Sequence, residues 1–547
     1  MKAFNSFCNW WKTDKRYVRL WKALILALLP YLCCVVRAAL DGGKILGVYL
    51  PSSEWNDELF YYKQVESILK FGFPQGYYGF NESHGLVLSF AAWSPVLVLP
   101  WILWGFFFGW TLISPVVCNI FLMTMAVFLF VWLADPDVRQ LSVLALLFCL
   151  YTPFTRYMMS GMPEIICISH LIIFYGLAYS YQAREKGWKL AMLFFLSGLL
   201  TLMRPYMLLF MILPAFLWIR QSKKQGKIWK GILGSGLFMG LVLGLYAGIK
   251  HYFGAEYFHP LFFTDWLTTF FTDGFGAGVH NFFSTLYWKG KDFYGHTREG
   301  IRSGLASGAF FAGFLVSLLV LLWQTVADAG WLYRQENAKE ETKKSGKLRE
   351  RTKAQLVVEA HLAFSFVGMF FALLLMYKLT EGSKHLLTFM AVAVFVVAMM
   401  RTATFKKAVI LGGAFAYLYL YRAVEPYDYR VPYQTPDRVE QVKQWETAFH
   451  EKLSLVRENV PNYDNVVIWV FNEANAQGQT MKWQVLYALP EGFGISCCQK
   501  DYVLEHMDTL ESRYVLAQNG AAVDEMCREK GYEELVRDTD LVLYRRY

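Results

Sequence analysis

Long apolar runs separated by short polar connections fill the chain as far as residue 421. Runs of about twenty apolar residues match the hydrocarbon core of a bilayer, so they predict membrane-spanning helices. Twelve runs lie at roughly 20–40, 86–108, 112–133, 141–158, 163–181, 190–203, 205–219, 231–250, 302–323, 356–376, 385–400 and 408–421. The pattern predicts a polytopic α-helical membrane protein with about 11–13 spans.

The last part of the chain alternates short strand-like runs with helical ones. The predicted strands are Val466–Phe471, Trp483–Ala488, Arg513–Ala517 and Asp540–Tyr544, and the predicted helices are Arg438–Val456 and Gly520–Glu529. This alternation is typical of a small α/β domain. We therefore expect a membrane domain over 1–421 and a C-terminal α/β domain over 422–547.

Composition and charge support this division. With 55% hydrophobic and 18% aromatic residues, the 547-residue chain is too apolar for an ordinary soluble enzyme. Five connections hold 25 Lys/Arg against 7 Asp/Glu, whereas 422–547 holds 14 against 21; the five are 1–22, 182–189, 220–230, 324–355 and 401–407. The positive-inside rule places these five in the cytoplasm. The basic charge therefore indicates topology and anionic membrane lipids, not a nucleic-acid partner.

The predicted topology requires an odd number of crossings. The N-terminus and 401–407 are both predicted to be cytoplasmic, and the last apolar run leads outward from 401–407. One run between 85 and 160 must therefore fail to cross, and we assign this to 86–108 because Pro95 and Pro100 interrupt it. Eleven crossings then place the loop 41–85, residues 159–163 and the region 422–547 on the outer, extracytoplasmic face of the cell membrane.

Two segments of the membrane domain have a distinctive composition. The outer loop 251–301 is dense in aromatic residues and is expected to lie at the membrane interface. Glycines recur every four residues at 236, 240, 244 and 248, a spacing that predicts a ridge for close helix packing.

Three of the nine cysteines, Cys497, Cys498 and Cys527, fall in the predicted C-terminal domain. On an oxidising outer face, one of the vicinal pair could form a disulfide with Cys527. The spacing does not suit a zinc site, because a fourth ligand is missing.

An acidic run, Glu54-Trp55-Asn56-Asp57-Glu58, follows the first apolar segment. Asn56 is a good helix cap, and acids in the first turn of a helix are stabilised by its dipole, so capping explains the run without any chemistry. The alternative is a general base that deprotonates an acceptor hydroxyl just above the bilayer. Asp57 is preferred to Glu58 for that role because its side chain is shorter.

A second acid lies at the outer end of a predicted span. Glu164 follows Pro163 at membrane depth, where charged groups are costly and are often functional. Arg156 lies eight residues earlier, so a structural ion pair between Arg156 and Glu164 is the main alternative.

Several basic residues could bind an anion at the same level. Arg204 lies between two apolar half-helices with no acid nearby in sequence, so it requires either a distant carboxylate or an anionic ligand. Lys384 and His385, at the outer entry to a span, could bind the same anion or simply extend to the interface. His84, before the second apolar run, is a candidate for acceptor binding.

These motifs, in this order, resemble the GT-C superfamily of membrane glycosyltransferases, which use polyprenyl-phosphate-linked sugars. That superfamily includes protein O-mannosyltransferases, the aminoarabinose transferase of lipid A and oligosaccharyltransferase catalytic subunits. The resemblance lies in Asp57-Glu58 with Tyr61, Tyr62 and Gly72, in 155–164, in Leu199–Pro205, in Lys384–Met390 and in Asp540–Arg545. This chain departs from the family in having a single acid at the second motif and Lys in place of Arg at 384. Both departures argue against a divalent-metal cofactor and against oligosaccharyltransferase activity.

The resemblance implies an inverting transfer of a sugar, a hexose or a pentose, from a polyprenyl-phosphate donor to an acceptor hydroxyl. Asp57 would be the base, and Glu164 would orient the sugar or the acceptor. Arg204, with Lys384 or Arg156, would neutralise the departing phosphate. The acceptor, a cell-envelope glycan, lipid or protein, is not specified by the sequence. The alternatives are a transporter or flippase for lipid-linked glycans, whose charges would line a path, and a polysaccharide polymerase or ligase.

Overall fold

The computed structural model describes most of the chain. The described residues are 15–48, 56–72, 74, 78–82, 94–253, 265–303, 306–337, 346–376, 379–418, 431, 433–456 and 463–547.

Seventeen helices precede the C-terminal domain in the described residues. In chain order they are α1 (Lys15–Ala27), α2 (Leu29–Leu40), α3 (Asn56–Phe71), α4 (Leu99–Phe108), α5 (Ser114–Ala134), α6 (Val138–Leu150), α7 (Pro153–Met158), α8 (Glu164–Ala183), α9 (Gly187–Met203), α10 (Ile212–Lys224), α11 (Ile228–Phe253), α12 (Asp265–Thr272), α13 (Phe275–Ser303), α14 (Ala306–Glu336), α15 (Gly346–Met376), α16 (Leu379–Met399) and α17 (Phe405–Ala416).

Six of the described helical segments are long and apolar enough to cross a membrane. They are Tyr17–Leu40, Ser114–Ala134, Glu164–Ala183, Ile228–Phe253, Gly308–Glu336 and Leu348–Met376. Shorter apolar helices lie between them, at Pro95–Phe108, Val138–Leu150, Gly187–Met203 and His385–Met399. The protein is therefore a multi-pass membrane protein.

Contacts between helix ends agree with the predicted topology of the first segments. The Arg19 side chain donates a hydrogen bond to the carbonyl oxygen of Leu133 (3.0 Å), and Lys22 donates to that of Pro136 (3.1 Å). The beginning of α1 and the end of α5 thus lie at the same end of the bundle. Near the other end of α5, Asn119 accepts a hydrogen bond from the Trp101 indole (3.0 Å), so Trp101 lies at the opposite end of α5 from Leu133.

The C-terminal domain contains a six-stranded sheet and three helices. The strands are β1 (Tyr78–Phe80), β2 (Val466–Val470), β3 (Gly494–Cys498), β4 (Tyr514–Gln518), β5 (Glu533–Arg537) and β6 (Leu541–Arg545), in the spatial order β1-β3-β2-β4-β6-β5. The helices are α18 (Pro436–Lys452), α19 (Lys500–His506) and α20 (Ala522–Glu529). β1 to β4 pair in parallel, whereas β6 pairs antiparallel with β4 and β5. This is the predicted α/β class, but the predicted strand Trp483–Ala488 is a 3-10 helix.

The first outer loop is built into the C-terminal domain. β1, which belongs to that loop, pairs with β3 through Tyr78 and Ile495. On α3, Lys63 Nζ donates to the carbonyl oxygens of Tyr487 (3.2 Å) and Leu489 (2.6 Å). The loop and the domain therefore lie on the same side of the bundle.

One prediction from residue spacing is wrong, the glycine ridge on α11. A Cβ atom at Gly236, Gly240, Gly244 or Gly248 would meet no atom within 4 Å, whereas α11 packs closely at Gly234, where it would lie 2.1 Å from the Trp218 ring. The four-residue repeat shows that the glycines share a face, but not which face a neighbouring helix covers.

The sequence left open a disulfide between Cys527 and one of the vicinal cysteines. Cys497, Cys498 and Cys527 are free thiols in the structure. Neighbouring residues of a strand face opposite sides of the sheet. Cys498 shares one hydrophobic cluster with Cys527, while Cys497 lies in the other.

Glu82, directly after β1, should stabilise the joint between the loop and the domain. Its carboxylate accepts hydrogen bonds from the backbone N–H groups of Glu511 (3.1 Å) and Ser512 (2.6 Å). Glu82→Ala leaves these groups without an acceptor and should lower the free energy of unfolding of this domain by about 1–3 kcal/mol. Chemical denaturation of the purified protein measures the change. Glu505→Ala, at an exposed position, is the control and should change little; an equal effect of both variants would contradict this role.

Candidate functional site

A break between two apolar helices places Arg204 inside the bundle. Arg204 follows α9 and precedes Pro205, which begins a 3-10 helix at Pro205–Met211. The residue before a proline is biased toward extended backbone, and Arg204 has φ −146° and ψ 119°. α9 therefore ends here, and the Arg204 side chain, 1% exposed, lies in the core.

Glu164 is the ionic partner of Arg204. Glu164 is the first residue of α8, and its Oε1 accepts a hydrogen bond from Arg204 Nη2 at 2.7 Å. Both side chains are 1% exposed. The distant carboxylate that Arg204 requires is thus Glu164, and Glu164 pairs with Arg204 rather than with Arg156.

Two neutral groups from other segments contact the second terminal nitrogen of Arg204. Nη1 lies 3.1 Å from the Tyr206 hydroxyl and 3.2 Å from Nδ1 of His385 on α16. Because a guanidinium only donates, Nδ1 of His385 must accept, which leaves the proton of the neutral imidazole on Nε2. We call these residues the arginine cluster: Arg204, Glu164, Tyr206 and His385. The arginine cluster joins the beginning of α8, the break after α9 and the first two turns of α16.

One oxygen of the arginine cluster has no partner in the part of the chain that the structure describes. Glu164 Oε2 is buried and accepts no hydrogen bond there. A carboxylate oxygen in this state is a strong acceptor for a hydroxyl group. The arginine cluster can therefore bind a hydroxyl-bearing ligand at Glu164.

Glu58 fixes the loop that leads to Glu164. Its side chain is fully buried, and Oε1 accepts the backbone N–H of Gly161 at 3.0 Å. From α5, Asn119 donates to the carbonyl oxygens of Ser160 (3.0 Å) and Met162 (3.4 Å). Glu58 is thus more than a helix-end acid, because it binds a loop 103 residues away in sequence.

Asp57 lies beside Glu58 in the first turn of α3 and is half-buried. Tyr61, one turn further on, is buried. Residues four apart share a helix face, so Asp57 lies on the same face of α3 as Tyr61.

The remaining predicted residues are placed as follows. Arg156, on the short helix α7, is 2% exposed and lies in the core. Lys384 precedes His385 on α16, but its side chain is outside the described part of the structure, as are Glu54 and His84 altogether. Sequence reasoning missed Asn119 and Tyr206; an asparagine inside an apolar span is itself a signal that could have identified Asn119.

Within the described ranges, no group of three or more His, Cys, Asp or Glu side chains is arranged to hold a metal ion. The candidate site contains the residues of the arginine cluster together with Asp57 and Glu58.

Comparisons with known proteins leave the family open. No protein-family model and no curated protein matches the sequence. Among solved structures, the apo form of the Archaeoglobus fulgidus oligosaccharyltransferase is 13% identical with a TM-score of 0.44, over 92% of this chain and 70% of that one. ArnT from Cupriavidus metallidurans is 11% identical in the apo state (TM-score 0.42; 94% and 97% covered) and 10% identical when bound to undecaprenyl phosphate (0.41; 95% and 97%). With these TM-scores the function has to be argued from the residues of this chain.

The buried ion pair should make a large contribution to stability that depends on both partners. Arg204→Met leaves the Glu164 carboxylate buried without its cation and should destabilise the fold by about 3–5 kcal/mol. Arg204→Met combined with Glu164→Gln should be more stable than Arg204→Met alone, because the unpaired charge is gone. Unfolding of the purified protein in detergent measures both variants.

The exposed ion pair between Lys224 and Glu185 provides the matched control. Lys224→Met should change stability by less than about 1 kcal/mol, because solvent screens this pair. If the double variant at 164 and 204 is no more stable than Arg204→Met, the two residues do not act as a buried pair.

Proposed function

We propose that this protein is a membrane glycosyltransferase that moves a sugar from a polyprenyl-phosphate donor to an acceptor hydroxyl on the outer face of the membrane. The observation that carries the proposal is the arginine cluster: a buried cation and carboxylate, preceded by a loop that Glu58, the neighbour of Asp57 on α3, binds through Gly161. Such a site combines an anion-binding group with a candidate base.

Charge distribution supports an outer location for the site. The bases near the start of α1 lie at the same end of the bundle as the end of α5, and Arg139 contacts the carbonyl oxygen of Arg401 at that end. Glu164 begins α8, whose other end lies roughly 30 Å away among basic connections. The cluster is therefore at the end opposite the positive charges.

Arg204 is suited to bind the phosphate of a lipid-borne donor. Glu164 holds Nη2 in place, while Nη1 faces the neutral Tyr206 and His385. A phosphate oxygen could take the place of these neutral contacts without breaking the ion pair. The polyprenyl chain would stay in the bilayer beside the apolar helices, so only the charged head would have to enter the bundle.

Asp57 would act as general base toward the acceptor hydroxyl. It lies half-buried in the first turn of α3, next to Glu58, which binds the loop before Glu164. Glu164 Oε2 would orient a hydroxyl of the sugar or the acceptor. With Asp57 as base and polyprenyl phosphate as leaving group, the acceptor oxygen displaces the phosphate oxygen from the anomeric carbon in one step with inversion, and the acceptor proton passes to Asp57.

Replacing the base should abolish transfer without unfolding the protein. Asp57→Asn keeps the shape of the side chain but cannot take the proton, so the rate of transfer should fall by about 10²–10⁴. The measurement is single-turnover transfer by purified protein, with the unfolding midpoint as a check on folding. Asp41→Asn, which removes a carboxylate paired with Arg37 on the same side, is the control and should retain activity. Near-normal turnover by Asp57→Asn would exclude Asp57 as the base.

The reaction itself can be tested with a panel of polyprenyl-phosphate sugars. Protein in lipid nanodiscs should release free polyprenyl phosphate from at least one donor when an acceptor glycan, lipid or peptide is supplied. Release should depend on Asp57 and on Arg204. If no donor is consumed while lipid-linked glycans cross the bilayer of reconstituted vesicles, the protein is a flippase and the proposal fails.

A further inference from the structure

Helix α13, in the outer loop between the spans α11 and α14, presents three distinct faces. At 100° per residue, Phe283, Tyr287 and Tyr294 fall within about 40° of one another, and each is more than 60% exposed. We call these three the aromatic stripe. Phe293 and Gly300 lie on a different face and are buried against the membrane bundle.

Five of the six charged residues on α13 are sorted by sign around the helix. Lys291, Arg298 and Arg302 lie within about 40° of one another, directly beside the aromatic stripe, and are called the cationic flank. Asp292 and Glu299 lie further round, on the side away from the aromatic stripe, and Lys289 lies beyond them, toward the buried face. Trp288 is exposed but lies outside the stripe, and Nζ of Lys291 lies 5.1 Å from its ring.

The packing of α13 places it at the outer end of the bundle. Phe293 contacts Phe311 on α14 (4.9 Å between ring centroids) and Phe370 on α15 (5.3 Å). A Cβ atom at Gly308 would lie 2.4 Å from the backbone of Gly300, so α13 meets α14 near the first turn of that span. The exposed faces of α13 are therefore continuous with the lipid-facing surface of the spans.

We infer that α13 binds the surface of the outer leaflet, with the aromatic stripe inserted among the lipids and the cationic flank bound to lipid phosphate. Aromatic side chains favour the level of the headgroups, and cations beside them favour anionic lipid. The order around the helix, aromatic, then basic, then acidic, matches the change from lipid to headgroup to water. Helix α13 is thus a membrane-binding surface. This inference does not depend on which reaction the candidate site performs.

Depth-dependent quenching tests this inference on the full-length protein. The accessible native cysteines are first replaced. A single cysteine is then introduced by Tyr287→Cys or, as the matched control on the acidic side, by Asp292→Cys. Each variant is labelled with a nitrobenzoxadiazole dye. In nanodiscs containing doxyl-labelled phosphatidylcholine, the dye at 287 should be quenched at least twofold more than at 292. Aqueous dithionite should reduce the dye at 292 faster. Equal quenching and equal reduction would overturn the inference, as expected if a second copy or a soluble glycan covered the stripe.

The cationic flank is tested through the choice of lipid. The unfolding midpoint should be higher in phosphatidylglycerol than in phosphatidylcholine nanodiscs. One triple variant removes the charges of the cationic flank and should lose most of this difference: Lys291→Gln, Arg298→Gln and Arg302→Gln. The control triple variant removes three charges of the C-terminal domain and should keep the difference: Lys443→Gln, Lys482→Gln and Lys500→Gln. An unchanged difference in the first triple variant would show that lipid phosphate is not bound by α13.

Discussion

The site depends on one constraint, which is that a guanidinium buried in an apolar bundle needs a carboxylate. Arg204 and Glu164 satisfy it at 2.7 Å with both side chains excluded from solvent. The requirement links the end of α9 to the beginning of α8, and through His385 it includes the beginning of α16. Because breaking such a pair costs several kcal/mol, it fixes the three segments relative to one another. They meet where we propose that the phosphate of the lipid donor binds.

The position of Asp57 is set from two sides. From below, Glu58 binds the backbone of the loop before Glu164. From above, Lys63 binds carbonyl oxygens of the C-terminal domain, and β1 joins its sheet. A general base works only within hydrogen-bond reach of its proton, so in the proposed reaction a domain more than 350 residues away in sequence would position Asp57 by holding α3.

Particular residues show what could be predicted and what could not. Arg204, isolated among apolar residues, indicated a distant partner, and Pro205 indicated the break, because both follow from local physics. The sequence could not decide that Glu164 pairs with Arg204 and not with Arg156, since the choice depends on how α8 and α9 pack. The same limit explains the error at the glycine repeat, because the spacing shows that the glycines share a face but not whether a neighbouring helix covers it.

By itself, the sequence determined the class of protein and its division into an apolar bundle and an α/β domain, because hydrophobic periodicity and charge distribution depend on composition along the chain. It also indicated the acids and bases that are candidates for the proposed chemistry. Only the tertiary structure decided how they combine: Glu58 with Gly161, Glu164 with Arg204, and the first loop with the C-terminal sheet. These pairs join residues from 40 to more than 400 positions apart, so folding alone brings them into contact.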